Sequence, residues 1–225
     1  MNWSGRQLRV DEATSAGDGY TARLPLPMRD VTRRLGEAFA TRGHQLFLVG
    51  GSVRDLLLGV PVSDLDYATD ATPDETKIAG RAAGAHSVYT VGERFGTVGF
   101  VFDDGINVEI TTYRTEQYPT PDRRPAVRHG TDLVGDLSRR DFTINAIAVD
   151  AVSGALVDPF HGRDDLGGRI IRAVGNADER FHEDPLRILR AVRFAAQLDF
   201  TVERSTLGAM ARLGSELRRI SRERI

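Results

Sequence analysis

The stretch LVGGSVRDLLLGVPVSDLDYAT, residues 48–69, narrows the possible folds more than any other part of the chain. An apolar run, QLFLVG, ends in two adjacent glycines, and a short segment, VRDLLLG, follows at once. Such a run has the form of a buried strand, and the glycine turn after it opens a short helix whose N-terminus points back at the turn. A second short strand, DLDYAT, then sets Asp64 and Asp66 one residue apart among apolar neighbours. Strand side chains alternate faces, so the two carboxylates share a face about 7 Å apart along the chain. Burying two like charges costs several kcal/mol unless something positive sits between them, and a divalent metal with oxygen ligands is the direct remedy.

A bare D-x-D is short and common. Asp64 capping a turn after Pro61, with Asp66 simply exposed, explains it as well. A calcium loop is excluded, because Thr69 stands where the sixth-position glycine is required. Glu109, in NVEITTYR, lies on a strand able to pair near DLDYAT and to present a third acid to the same metals. Taken alone it reads as a solvent-side charge on an edge strand. With a GGS turn at a helix N-terminus, where N–H groups and the dipole attract phosphate, the three acids suggest a site for a nucleoside triphosphate with metal ions. No G-x-x-x-x-G-K-[ST] and no G-x-G-x-x-G after a strand occurs, so P-loop, Rossmann and kinase chemistry are excluded.

Composition supports a soluble globular chain. Its 225 residues, 40% apolar and 28% charged, suffice for one large domain or two small ones with real cores. A net charge of −2 argues against coating nucleic acid by charge alone. Lys77 is the one lysine, and arginines crowd the last fifty positions, which suits bidentate contacts to phosphates and base edges but equally reflects a chain-wide bias toward arginine. No cysteine is present, so disulfides, thiolate metal sites and cysteine nucleophiles fall away. No window approaches the roughly 18 apolar residues of a membrane span, and no secretory signal pattern opens the chain, so the cytoplasm is the expected compartment and no membrane partner is expected. Oligomeric state is not legible.

Residues 1–27, polar and aperiodic, are expected to form a disordered leader. Val31, Leu35, Ala38 and Phe39 predict a helix closed by Gly43, and Thr72-Pro73-Asp74-Glu75 predicts a capping box opening a helix to about Ala83. HSVYTV, GTVGFVF and NVEITTYR predict strands in a mixed, largely antiparallel sheet, the last two joined by the turn DDGI. Residues 115–130 read as a long functional loop, and ALVDPF with RIIRAVG as a closing hairpin. In DPLRILRAVRFAAQL, helical period places Leu186, Leu189, Val192, Phe194 and Ala196 broadly on one side, and further helical stretches follow. The expected fold class is α+β: a mixed domain over residues 28–170, then a small all-helical domain over 171–225.

These residues, in this order, resemble the class II tRNA nucleotidyltransferases, the CCA-adding enzymes, with bacterial poly(A) polymerases as close relatives. GGSVRDLLLG with SDLDYAT is similar to the family's metal and triphosphate motif, RFGTV and VEITTYR to its central strands, RRDFTINAIA to its ribose motif, and EDPLRILRAVRFA to its base-selecting motif. The likeness covers residues 30–205. It implies a polymerase-β-like nucleotidyltransferase head and a helical neck that recognises the base. Asp64 and Asp66 are then ligands of two Mg²⁺ ions and Glu109 the third catalytic acid, with Gly51, Ser52 and Arg54 on the triphosphate. Arg140 and Asp141 are expected at the sugar and phosphates, with Asn145 close by. Asp184 and Arg187, spaced with Arg190 along one helix face, are expected to read cytosine and adenine, supported by Arg190 and Arg193. The implied reaction adds CMP and AMP, from CTP and ATP, to the 3′ end of tRNA; poly(A) synthesis and a non-catalytic nucleotide- or RNA-binding module are the alternatives. Family members continue into further helical domains that grip tRNA, so the chain is expected to be an N-terminal fragment with a truncated neck.

Overall fold

The computed structural model describes residues 19–92, 96–117, 126–129 and 132–220. Most of the expected leader, residues 1–18, lies outside them. Its last part is ordered: Tyr20–Arg23 form a 3-10 turn, and Tyr20 and Leu24 are buried in the core, so apolar anchoring begins before Pro27. Helix α1, Leu26–Ala40, follows, with Pro27 in its first turn.

Among the described residues the main sheet has seven strands in the order β3-β4-β5-β2-β1-β8-β9. These are β1 (Leu46–Val49), β2 (Leu65–Thr69), β3 (Ser87–Gly92), β4 (Thr97–Val101), β5 (Asn107–Thr112), β8 (Ala148–Asp150) and β9 (Leu156–Val157). Only β2 and β5 pair in parallel. Helix α2, Gly51–Leu57, leaves the end of β1, and α3, Pro73–Ala82, starts with the expected Thr72–Glu75 capping box. One sheet face packs Leu48, Leu65, Tyr67, Val98, Phe100, Val108 and Ile110 against Leu35 and Phe39 of α1 and Ala79 of α3. The other carries a smaller cluster of Phe47, Val49, Ala68 and Ala148, covered by Tyr113, Leu133 and Leu137, the last two from α4, Leu133–Ser138. Strand alternation sends Asp66 and Glu109 to this second face, whose cover is partial.

Of the expected loop, residues 115–130, only 115–117 and 126–129 are among the described residues, and these form strands. Strands β6 (Arg114–Gln117) and β7 (Ala126–His129) pair antiparallel as a separate ribbon, and the segment joining them lies outside the described residues. Nor do ALVDPF and RIIRAVG pair with each other. β9 returns to β8, and after α5, Gly162–Gly168, strand β10 (Ile170–Ile171) pairs in parallel with β11 (Thr201–Val202), thirty residues on. The neck, with α6 (Ala177–Glu183), α7 (Leu186–Leu198) and α8 (Arg204–Leu213), is helical as expected, with this short ladder added.

The buried face of α7 is Ile188, Ala191 and Phe194; of the expected set Phe194 is buried and Leu186 and Leu189 are half-buried, while Val192 and Ala196 face outward. Spacing of three and four sets the true stripe, and Val192 and Ala196 fall off it. Phe142, Ile171, Phe181, Ile188, Ala191, Phe194 and Phe200 join the main core, so head and neck share one apolar interior. No helix among the described residues is long and apolar enough to cross a membrane.

Candidate active site

The acids form a row across the sheet. In the parallel pairing of β2 and β5, Asp66 stands opposite Glu109, so their side chains project side by side from the open face. Asp66 is half-buried and Glu109 exposed. Asp64 is exposed and precedes the first residue of β2, so it does not lie on a buried strand; its carboxylate accepts from Ser63 Oγ at 2.7 Å. Burial raises the Asp66 carboxyl above the usual aspartate range, the negative charges of Glu109 and Asp64 raise it further, and Arg140 opposes them.

Because β1 and β2 are antiparallel, with Leu48 opposite Tyr67, the end of β1 lies beside the start of β2. There the chain turns through Gly50 at φ 69° and ψ −134°, a conformation reserved for glycine. A Cβ at Gly50 would also meet Arg140 Nη1 at 3.0 Å. Ser52, buried in the first turn of α2, was expected on the triphosphate. Its hydroxyl instead donates to the carbonyl oxygen of Asp64 at 2.9 Å and accepts the amide of Asp66 at 3.1 Å. The D-x-D backbone leaves a gap in its bonding where β2 begins, and Ser52 fills it.

Guanidinium groups collect on the β1–β8 side of the acids. Arg54 of α2, and Arg190 and Arg193 of α7, lie 5.2, 5.3 and 5.3 Å from the ring centre of Phe194. Phe142 meets the same ring edge-on at 5.9 Å. Arg54 donates to Asn145 Oδ1 at 2.9 Å and to Asp55; Asn145 Nδ2 donates to Asp141 at 3.1 Å; Arg190 donates to the other Asp141 oxygen at 2.7 Å. Asp141 also accepts the Phe142 amide, so this buried carboxylate is a hub that ties neck to head, with its acceptors already engaged by protein. Arg140 pairs with Asp136 at 3.1 Å, and its Nε is buried without a partner among the described residues. For Asp136, burial is outweighed by Arg140 and Arg139, which hold the carboxyl below its usual range.

The residues expected to read the base do not share one helix. Asp184 ends α6 in extended conformation and its carboxylate caps the Leu186 amide at 3.1 Å, while Arg187 and Arg190 lie in α7. The Arg187 guanidinium bonds to Glu183 at 2.8 Å and to the carbonyls of Arg139 and Arg180 at 2.8 and 3.1 Å.

No group of three or more carboxylate or imidazole side chains among the described residues forms a ready-made metal cage. What is present is a carboxylate pair on adjoining strands and a third acid just before them, with burial and then the neighbouring acids raising the Asp66 carboxyl. That donor set fits a hard divalent cation held by one or two carboxylates and completed by substrate phosphate and water.

Carboxylates beside guanidinium groups are chemically suited to a metal-bound polyphosphate. The sheet that carries them is that of a nucleotidyltransferase head. The family model described as the Poly A polymerase head domain matches residues 46–172, more than half of the chain, and the chain belongs to that family. It is 48% identical over 186 residues to a CCA-adding enzyme of Oceanobacillus iheyensis, which covers 82% of this chain and 45% of that protein. The structure of Bacillus stearothermophilus CCA-adding enzyme in complex with CTP superposes with a TM-score of 0.76 at 38% identity, covering 89% of this chain and 47% of the other. Thermotoga maritima CCA-adding enzyme complexed with tRNA gives a TM-score of 0.75 at 29% identity, over 91% and 47%. This chain therefore spans about half the length of the relatives it matches.

Proposed function

We propose that this chain is the catalytic head and base-selecting neck of an RNA nucleotidyltransferase that adds CMP and AMP, from CTP and ATP, to the 3′ end of tRNA. The observation that carries the reading is the register of Asp66 against Glu109, with Asp64 before them and the arginine cluster beside them. The relatives it resembles, CCA-adding enzymes, supply the substrate class. Poly(A) synthesis, suggested by the family description, is the second reading.

Mg²⁺ held by Asp64 and Asp66, with Glu109 as the third acid, would lower the pKa of the RNA 3′-hydroxyl and offset charge developing on the α-phosphate. The residues of the chain do the rest by positioning. Arg54, Arg140, Arg190 and Arg193 hold the phosphates and favour the departing pyrophosphate. Gly50 and Gly51 let the backbone approach it. Asp141 and Asn145 keep Arg190 and Arg54 aimed at one place. Asp184 and Arg187 present an acceptor and donors toward the base once Arg187 exchanges its Glu183 and carbonyl contacts for it. No covalent nucleophile is required.

The test offers labelled CTP and ATP, each with a tRNA lacking its terminal CCA and with an unstructured RNA, to this chain and to Asp66→Ala. Incorporation of both nucleotides into the tRNA, lost in the variant, is expected. Equal incorporation by the variant removes the assigned role, and ATP-only extension of unstructured RNA favours poly(A) synthesis.

A further inference from the structure

The row that contains Asp66 and Glu109 continues outward. Glu109 faces Gly99 across β5 and β4, and Gly99 faces Tyr89 across β4 and β3. Gly99 has no side chain, and the Tyr89 ring occupies the space one would fill: a Cβ at Gly99 would lie 2.0 Å from the ring. The half-buried ring therefore leans over the glycine toward the acids. Burial, then Glu109, Asp64 and Asp66, raise the Tyr89 hydroxyl pKa, so this group stays protonated and adds no further charge to the row.

We infer that Tyr89 is the platform on which the 3′-terminal nucleotide of the RNA acceptor stacks. The inference rests on the transferase reading above and names the acceptor subsite within it. Nucleotidyl transfer proceeds in line, with the attacking hydroxyl and the departing pyrophosphate on opposite sides of the α-phosphate. The arginines that would take the pyrophosphate come from α2, α7 and the segment before β8, all on the β1–β8 side of Asp66. The attacking hydroxyl must then arrive from the other side, over Glu109 and past the Tyr89 ring that covers Gly99. Among the described residues, Tyr89 is an aromatic side chain bordering that approach. Stacking suits the place chemically: it tolerates any base, and the acceptor end carries a new terminal base after each addition. A tyrosine that merely covers a strand glycine accounts for the packing but not for the open approach beside the acids.

The probe is an RNA stem ending in a 3′-terminal 2-aminopurine, whose fluorescence falls on stacking, titrated with this chain and with Tyr89→Phe and Tyr89→Leu. The leucine variant keeps an apolar side chain on β3 but removes the ring and its hydroxyl, and Tyr89→Phe controls for the loss of the hydroxyl alone. Quenching by wild type and Tyr89→Phe, with Tyr89→Leu unquenched, about tenfold weaker for RNA and unaltered for CTP and ATP, supports the assignment. Quenching by Tyr89→Leu, or an equal loss of nucleotide affinity, overturns it. A wild-type chain that quenches the probe but incorporates no nucleotide leaves the stacking site standing and removes the transferase reading. Incorporation without quenching does the reverse.

Discussion

Ser52 Oγ donates to the carbonyl oxygen of Asp64 at 2.9 Å, and the same oxygen accepts the amide of Asp66 at 3.1 Å. One buried hydroxyl thus fixes the D-x-D segment to the first turn of α2, the helix that follows the glycine turn. Ser52→Ala leaves both backbone groups without that partner, at a cost of about 1–3 kcal/mol for a buried unsatisfied group. The expected outcome is a lower urea midpoint and reduced kcat, with KM for CTP and ATP little changed. A serine that held the triphosphate directly would give the opposite split, a raised nucleotide KM at unchanged stability.

Asp66 is set against stability. Burial and the neighbouring charges of Glu109 and Asp64 disfavour its ionised form, and among the described residues Arg140 opposes them. Asp66→Asn keeps the shape and removes the charge. In chelator, its thermal midpoint is expected to equal or exceed that of the wild type, while nucleotide incorporation in Mg²⁺ falls by about 100-fold or more. A midpoint several degrees lower would show that the carboxylate holds the fold together rather than serving the reaction.

Phe194 gathers Arg54, Arg190 and Arg193 within 5.2–5.3 Å of one ring centre, joining a head helix to a neck helix. Each such contact is worth about 0.5–2 kcal/mol. Phe194→Leu retains an apolar side chain but releases the guanidinium groups from their common anchor. Affinity for ATP is expected to fall about fivefold, and that for AMP much less, in equilibrium titrations. A loss independent of phosphate number would mean that the ring acts only as core.

What was legible in the sequence was local. The glycine turn, the strand carrying Asp66, the Thr72–Glu75 box and the hairpin of β4 and β5 are each specified by a few adjacent residues, whereas Asp64 falls just before its strand. Non-local pairings were not legible. Ile170–Ile171 meets Thr201–Val202 across a helix pair, and two-residue strands carry no period to detect. The same limit hid Tyr89 and Gly99, whose importance appears only when register sets them beside Glu109. Ser52 shows a subtler limit: the motif identified the residue, but its hydroxyl had two possible partners, phosphate or backbone, and only packing chooses. Phe194 left a trace, since Arg190 and Arg193 stand four and one positions before it, yet its apolar character alone read as core.

Glu203 offers a test of how the neck is held. As the N-cap of α8 its carboxylate accepts the amides of Ser205 and Thr206 at 3.0 and 2.9 Å and both their hydroxyls, and Arg172 of the segment after β10 lies 3.8 Å away. The Thr206 hydroxyl in turn accepts the Ala173 amide at 3.1 Å, so the cap fastens α8 to the core. Burial resists ionisation, but the Ser205 and Thr206 bonds prevail and hold the carboxyl down to about 2, from an ordinary 4.5. A depressed folded pKa means that this stabilisation is complete above the unfolded value and drains away as pH falls from about 4.5 toward 2. Glu203→Gln cannot ionise, so the wild type should exceed it by about 1 kcal/mol near neutrality, the usual worth of a cap. The gap should shrink through that acid window and close near its lower end. Urea denaturation of both proteins at successive pH values measures it, and a gap that stays constant with pH would show that the charge on Glu203 contributes nothing to holding the neck.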